Sequence, residues 1–165
     1  MPLQRLHRAV DELAMWVEDR VERPPAPYRA GAAEPLPCFG PLPILPPAPD
    51  RPGRWLAPSP WPGAAAPLEV HVRWPEGPAR GVALLVPPWK IARPALVRGW
   101  GDVLLAAGYE AWLAVPPFHM ARAAPGARSG EGFVSPDLGA LRAAVAQHVV
   151  ELRALAALAA GRGGR

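Results

Sequence analysis

Residues 81–122 decide the fold of this chain, and they read GVALLVPPWK (81–90), IARPALVRGWGDVLLAAG (91–108) and YEAWLAVPPFHMAR (109–122). The first and last pieces each contain an apolar run of the kind found in strands covered on both faces. Each run ends at a Pro-Pro turn. The middle piece has a proline near its start and a glycine at its end, which is typical of a helix. The stretch therefore predicts a βαβ unit, and α/β proteins bind ligands at the carboxyl ends of such parallel strands.

The helix predicted inside this unit has one apolar face. It runs from about Pro94 to Ala107, and a crossover that contains a helix joins strands in a parallel, right-handed way. We expect the apolar face to be buried against the sheet, and its members are Leu96, Val97, Trp100, Val103, Leu104 and Ala107.

The flanking residues extend the unit to a predicted core domain over 67–165. LEVHVRW (68–74) alternates apolar and polar residues, which indicates a half-buried strand. We expect this strand to form a hairpin with the one that follows. A polar loop follows, and we expect it to be flexible around Ser129. Pro136-Asp137 then begins a long predicted helix that reaches about Ala160, with Ser135 in a position that suits its N-cap.

Two segments precede this domain. Residues 1–23 hold apolar side chains at spacings of three and four, which predict an amphipathic helix over about Leu3–Val21. We interpret it as packing on the domain, with a dimer helix or a membrane-surface helix as alternatives. Residues 24–66 are dense in proline, which blocks helices and central strands. They predict an irregular strap over the core, and a PxxP-type ligand is the alternative.

Composition limits the partners that we expect. The net charge is +4, but Lys90 is the only lysine and the arginines are scattered, so no basic stripe indicates nucleic acid. Cys38 is the only cysteine, which excludes an internal disulfide and a Cys-based zinc site. We expect no cofactor and no metal. The N-terminus lacks a secretory signal and no run reaches the roughly 18 apolar residues of a membrane span, so we predict a cytoplasmic protein.

These motifs together resemble the N-terminal half of an α/β-hydrolase, and most closely the group that includes abhydrolase domain-containing protein 18. Members of that group carry a Leu-Pro-x-Trp-Asn-like turn after one core strand and a Pro-Tyr-His-x-x-Arg-like turn after the next. A long helix with a Gln near its middle then leads to the nucleophile strand. The matching positions here are 87–90, 117–122 and Gln147, and the resemblance covers about residues 55–160.

The resemblance implies a mixed, mainly parallel sheet flanked by helices, and hydrolysis of a small-molecule ester or acyl bond by a Ser-His-acid triad. In that fold one oxyanion-hole donor is a main-chain N–H in the loop after the first of these strands. Pro87 and Pro88 have no N–H, so Trp89 or Lys90 would have to supply it. Lys90 stands where relatives favour Asn.

The same resemblance implies a substrate pocket at this rim, lined by Pro88, Phe118, His119 and Arg122. His119 is not expected to be the general base, because the catalytic His of this fold follows the nucleophile late in the chain. Between lining the pocket and a hydrogen bond to the main chain, we favour the hydrogen bond as the role of His119. Arg122 could bind a substrate carboxylate or phosphate, but we favour an ion pair with Glu131 or Asp137.

A nucleophile is missing from the chain. Serines occur only at 59, 129 and 135, none of them in G-x-S-x-G, and there is no threonine. We therefore expect the N-terminal part of a hydrolase, a fragment that ends before the nucleophile strand and is inactive alone. The alternatives are a non-catalytic, degenerate hydrolase-fold domain used for binding or as a scaffold, and a Pro-rich interaction protein that uses residues 24–67.

Overall fold

The structure is a computed structural model that describes residues 40–41 and 44–162, and it confirms the α/β class. The predicted helix at Leu3–Val21 and the thiol of Cys38 lie outside the described residues. The elements in chain order are β1 (Gly53–Ala57), β2 (Leu68–Arg73), β3 (Val82–Leu85), a 3₁₀ turn (Pro94–Val97), α1 (Arg98–Ala106), β4 (Glu110–Val115), a 3₁₀ turn (Met120–Arg122) and α2 (Leu138–Ala160).

The four described strands form one sheet in the order β1-β2-β4-β3. β3 and β4 are parallel, as the βαβ pattern predicts, with Leu84 opposite Trp112. β2 pairs antiparallel with β4 on one side and with β1 on the other. Because antiparallel pairing predominates among the described strands, this sheet is mixed rather than mainly parallel.

The predicted hairpin between β2 and β3 is wrong. β4 lies between these two strands, with Val72 of β2 opposite Trp112 of β4. The connection 74–81 has to span the two inter-strand spacings from β2 to β4 and from β4 to β3, about 5 Å each, and it is long enough to do so. The six residues of β4 are all buried, so burial of this apolar strand in the middle of the sheet prevails over the local return of the chain.

The proline-rich segment is also more regular than its composition indicates. β1 occupies the proline-free run between Pro52 and Pro58 and forms the edge of the sheet beside β2. An edge strand needs hydrogen bonds on one side only, so prolines that flank it are tolerated. The interpretation of 24–66 as wholly irregular is therefore wrong at Gly53–Ala57.

The two helices lie on opposite faces of the sheet. The core on the α2 face includes Val72, Trp112 and Leu155. On the other face Arg73 reaches α1, donating from Nη2 to Asp102 Oδ1 at 2.6 Å. Gly101 faces the sheet: a Cβ at this position would lie 3.9 Å from the Ala111 Cβ of β4, in ordinary contact, and 2.9 Å from Nη1 at the flexible end of Arg73.

The face of α1 that we expected to be buried is largely exposed. Val97 is buried, but Leu96, Trp100 and Val103 are 61%, 73% and 70% exposed. The helix contacts the sheet through Val97 and Gly101 instead. The apolar periodicity identified the helix correctly, while no described residue covers most of its apolar side chains.

Asp137 rather than Ser135 is the N-cap of α2. The carboxylate of Asp137 accepts from the N–H groups of Gly139 (2.8 Å) and Ala140 (3.2 Å), as capping carboxylates do. The Ser135 hydroxyl accepts instead from the Asp137 N–H at 3.1 Å. By length and composition α2 could cross a membrane, but it packs on the sheet through Leu155. This packing is compatible with a soluble protein, and the cytoplasmic location stays a prediction.

Candidate functional site

The turns after β3 and β4 lie side by side at one rim of the sheet, and the loop 128–133 joins them. Trp89 Nε1 of the first turn donates to the carbonyl oxygen of Gly130 at 3.0 Å. The Gly130 N–H donates to the carbonyl oxygen of Phe118, in the second turn, at 2.8 Å. The parallel pairing of β3 with β4 thus places together the two motifs that the sequence separates by a whole helix.

Ser129 makes a second link between the same turns. Its hydroxyl donates to the carbonyl oxygen of Ile91 at 2.5 Å and accepts from the Met120 N–H at 2.9 Å. Both hydrogen-bonding functions of the hydroxyl are therefore used for structure. The sequence indicated a flexible loop here, whereas the structure shows Ser129 bonded to both turns.

Both turns hold backbone conformations that L-residues rarely adopt. Lys90, Phe118 and Met120 have φ angles of 64°, 63° and 49°. Each such conformation costs free energy and persists only where the surroundings fix it, and such residues cluster at functional sites. The Lys90 ammonium lies 4.1 Å from the centre of the Trp89 ring, within the range of a cation–π contact.

His119 is buried under this rim and hydrogen-bonded to the main chain, which confirms the role that we favoured for it. It is 1% exposed, and its Nδ1 lies 2.8 Å from the Pro117 carbonyl oxygen. Because a carbonyl can only accept, Nδ1 carries the proton and Nε2 holds a lone pair. Burial lowers the pKa of His119, although the bond to Pro117 opposes this shift. The neutral Nε2 has no hydrogen-bond partner in the described part of the chain and lies against Gly130.

Arg122 forms a buried ion pair, but with Glu151 of α2 rather than with Glu131 or Asp137. The two nitrogens Nη1 and Nη2 donate to the Glu151 carboxylate at 2.8 and 2.6 Å. Nη1 also donates to the Val115 carbonyl oxygen, at the end of β4, at 2.6 Å. Both side chains are at most 2% exposed. Arg122 therefore ties the β4 turn to α2.

Two more side chains complete this buried cluster. Glu151 Oε1 accepts from the Ser59 hydroxyl at 2.6 Å and from Gln147 Nε2 at 3.0 Å. Ser59 follows β1, so the cluster connects three distant parts of the chain. Sequence reasoning singled out Gln147 and Arg122 but missed Glu151 and Ser59. The available signal was Gln147 and Glu151 four residues apart on one face of a helix.

The remaining predicted site residues lie on the outer side of the rim. Pro88 is exposed and Trp89 is 42% exposed, while Phe118 is partly buried. The main-chain N–H of Trp89 donates no hydrogen bond to any described residue. The structure thus brings Trp89, Phe118 and His119 together, and places Arg122 beneath them in the ion pair.

Each serine of the chain hydrogen-bonds elsewhere than to a histidine. Ser59 donates to Glu151, Ser129 donates to the Ile91 carbonyl, and the Ser135 oxygen accepts from a main-chain N–H. A serine nucleophile needs a base within hydrogen-bond reach. The described residues contain no such pair, and no three of their His, Cys, Asp or Glu side chains come together as a metal site.

The burial of His148 leads us to predict that the stability of the protein depends on pH. Both of its ring nitrogens are buried without a described partner, and burial lowers its pKa to about 4; Glu151 opposes this shift, while Arg122 and His119 reinforce it. The unfolded chain, where the pKa of His is about 6.5, binds more protons between pH 6.5 and 4. The free energy of unfolding should therefore fall as the pH drops through this window, by up to about 1.4 kcal/mol per pH unit.

Chemical unfolding of His148→Leu, measured from pH 7 to pH 4, tests this prediction. The leucine keeps an apolar side chain beside Phe133, whose ring centre lies 6.2 Å from that of His148. We expect a shallower pH dependence than in the wild type. Val145→Leu, at a 43% exposed position of the same helix, should keep the wild-type slope. Equal slopes in all three proteins would contradict the assignment.

No family model matches this chain, and no curated protein matches it either.

Proposed function

We propose that this chain is the N-terminal portion of an α/β-hydrolase that cleaves an ester or related acyl bond, and that it is inactive without the nucleophile strand. One observation supports this most. The Trp89 turn and the Phe118–His119 turn meet at the carboxyl ends of two parallel strands, where open α/β sheets bind ligands. The strained backbone at Lys90, Phe118 and Met120 adds to it.

The unpaired edge of β3 supports a continuation of the sheet. Among the described strands β3 has a neighbour on one side only, and its four residues are only partly buried. Trp100 lies about opposite Asp102 on α1, since adjacent residues are about 100° apart. Asp102 contacts β2, so the exposed apolar side of α1 is directed toward the β3 edge. Apolar surface beside an unpaired edge is what an added strand and helix would cover.

The course of α2 is consistent with such a strand. After α2 the Arg162 guanidinium reaches Glu110, the first residue of β4, with Nη2 3.0 Å from Oε1. The chain has thus returned to the amino end of the parallel strands. A strand joined there could run parallel to β3 through a right-handed crossover. Because α1 and α2 cover opposite faces, the crevice of the doubly wound sheet would then lie next to the Trp89 turn.

In this proposal Trp89 supplies the oxyanion-hole donor. Prolines at 87 and 88 remove two candidate N–H groups, and the Trp89 N–H is not used by any described residue. The indole of Trp89 is fixed by its bond to Gly130. A donor on a fixed backbone needs no rearrangement when charge develops on the substrate oxygen, which is the basis of oxyanion stabilisation. Phe118 and Pro88 would form the adjacent wall.

A serine-directed fluorophosphonate tests the proposal. The coding sequence beyond the codon for Arg165 should continue into a strand followed by G-x-S-x-G. The 165-residue chain should not be labelled and should not cleave p-nitrophenyl esters. The longer product should be labelled at the new serine. Labelling of Ser59, Ser129 or Ser135 in the short chain would refute the proposed lack of a nucleophile, and an unrelated downstream sequence would refute the fragment.

The hydrogen bonds of the serines favour a second candidate, a non-catalytic domain of the same fold. The hydroxyls of Ser59 and Ser129 are both used in structural hydrogen bonds, so neither serine is left over for a catalytic role. If the chain is such a domain, the 165 residues alone should form a soluble, inactive monomer. A fragment with an unpaired apolar edge would associate instead. Sedimentation velocity of the 165-residue chain distinguishes the two.

A further inference from the structure

The two edges of the described sheet differ in how well they are protected. β1 lies between Pro52 and Pro58 and carries Arg54, and prolines and charged side chains hinder the pairing of an edge with another strand. β3 reads VALL, with no proline and no charged residue. Of the two edges, β3 is therefore the one that is open to a further strand.

The main-chain groups of β3 show which of them are available at this edge. The carbonyl oxygen of Gly81 accepts from the Glu110 N–H of β4 at 2.9 Å. Both main-chain groups of one residue point to the same side of a strand, and the side alternates along the chain. The N–H and C=O groups of Val82 and Leu84 are therefore directed away from β4, where the described sheet has no further strand.

The exposed apolar side of α1 is directed toward the same edge. Trp100 and Val103 are about 60° apart around the helix, and Leu96 precedes them by one turn; we call these three residues the α1 stripe. All three are largely exposed. Asp102, which contacts Arg73 of β2, lies on the opposite side of α1. The α1 stripe exposes roughly 300–400 Å² of apolar surface, and patches of this size are often functional.

We propose that this chain forms a twofold dimer in which β3 pairs antiparallel with β3 of a second copy and the two α1 stripes pack together. With the axis at Ala83, Val82 of each copy exchanges two hydrogen bonds with Leu84 of the other, so all the outward groups of these residues are paired. The same axis brings the two copies of α1 side by side on one face of the sheet.

The charges on these surfaces favour a second copy as the occupant. A twofold contact places each residue near its own equivalent, so a charged surface would repel itself. Neither β3 nor the α1 stripe contains a charged residue. Antiparallel pairing also places the amino end of one β3 beside the carboxyl end of the other. The second copy would therefore cover the open side of the Trp89 turn.

The expected contact area is at the lower limit for a stable dimer. The α1 stripe and the partly exposed β3 edge together offer on the order of 600 Å² per copy, or about 1,200 Å² in total, which is the smallest area typical of specific interfaces. We therefore expect a dimer that dissociates on dilution. The second copy takes the place that the proposed function gives to an added strand, but the inference does not depend on hydrolysis.

Disulfide formation at position 83 tests the pairing. Around the proposed axis the two copies of Ala83 face each other with their Cα atoms about 4.5 Å apart, within the range of roughly 4.4–6.8 Å that a disulfide needs. With Cys38 replaced by serine, Ala83→Cys should give a covalent dimer under mild oxidation. Leu56→Cys, at the β1 edge and 46% exposed, is the control and should not. Equal yields, or no dimer from Ala83→Cys, would overturn the proposal.

Sedimentation velocity over a range of concentrations provides the second measurement. Trp100→Glu should raise the dissociation constant of the dimer by roughly tenfold or more, which corresponds to about 1.4 kcal/mol. Val145→Glu, at an exposed position of α2, is the matched control and should leave it unchanged. Circular dichroism should show that both variants are folded, because both positions are exposed.

The outcomes separate this dimer from the proposed function. A wild-type chain that stays monomeric at every concentration would overturn the dimer. Association that Trp100→Glu leaves intact would also overturn it, but would not contradict a fragment with an unpaired edge. Fluorophosphonate labelling of the longer product tests the hydrolase proposal without reference to the oligomeric state of the 165-residue chain.

Discussion

Replacing Glu151 with glutamine should lower the free energy of unfolding by about 3–5 kcal/mol. The carboxylate is 1% exposed and accepts hydrogen bonds from Arg122, Ser59 and Gln147. Glutamine keeps the size of the side chain but removes the charge, so the Arg122 guanidinium is left buried and uncompensated. Urea unfolding monitored by circular dichroism measures the loss as a shift of the midpoint.

Two further variants separate the ion pair from a general effect of the substitution. Glu131→Gln changes an exposed carboxylate that accepts from the Arg128 N–H, and it should cost less than about 1 kcal/mol. Arg122→Met combined with Glu151→Gln removes both charges. The double variant should be less destabilised than the sum of the two single variants, by roughly 1–3 kcal/mol. An additive result, or a Glu151→Gln midpoint equal to that of Glu131→Gln, would contradict the assigned role.

The elements that the sequence predicted correctly are those with a strong local pattern. β3, α1 and β4 follow from two apolar runs and from a helix with proline near its start and glycine at its end. Their parallel pairing follows from the length of the crossover. α2 follows from its apolar spacing. In each case neighbouring residues carry the information, so no knowledge of distant parts of the chain is needed.

The predictions that failed depend on contacts between distant residues. β2 was expected to pair with β3, but β4 lies between them because it is buried on both sides. β1 was not predicted, because it lies in a proline-rich segment whose composition indicated irregular structure. Only the five residues Gly53–Ala57 pair with β2. We expected the apolar face of α1 to be buried, but most of it is exposed among the described residues. Periodicity shows which side of a helix is apolar and says nothing about what covers that side.

In the candidate site, too, the features set by local sequence were predictable and those set by contacts between distant residues were not. The two Pro-Pro turns and the main-chain bond of His119 were predictable, because parallel strands end at one rim and buried imidazoles need partners. The partner of Arg122 was not predictable, since Glu131 and Asp137 are nearer in sequence than Glu151. The choice depends on the position of α2, which places Glu151 under the end of β4. The loop 128–133 was likewise expected to be flexible, although its glycines are in close contact with both turns.

Gly130→Ala should lower the free energy of unfolding by about 2–5 kcal/mol. Gly130 has a φ of 83°, where an L-residue costs about 1–2 kcal/mol. A Cβ here would also lie 2.8 Å from Trp89 Cδ1, 2.9 Å from Trp89 Nε1 and 3.0 Å from His119 Nε2. Relieving these contacts requires moving a ring, and overpacking of this kind costs about 1–3 kcal/mol. Urea unfolding measures the total.

Gly126→Ala is the matched control, because it isolates the backbone term. Gly126 has a φ of 80°, and a Cβ there would meet nothing within 4 Å among the described residues. The difference between the two variants therefore reports the contacts of Gly130 with Trp89 and His119, and we expect it to exceed about 1 kcal/mol. Equal losses would mean that the Trp89 ring yields without cost. The loop would then not hold the two turns together, and the fixed Trp89 turn required for an oxyanion-hole donor would lose its support.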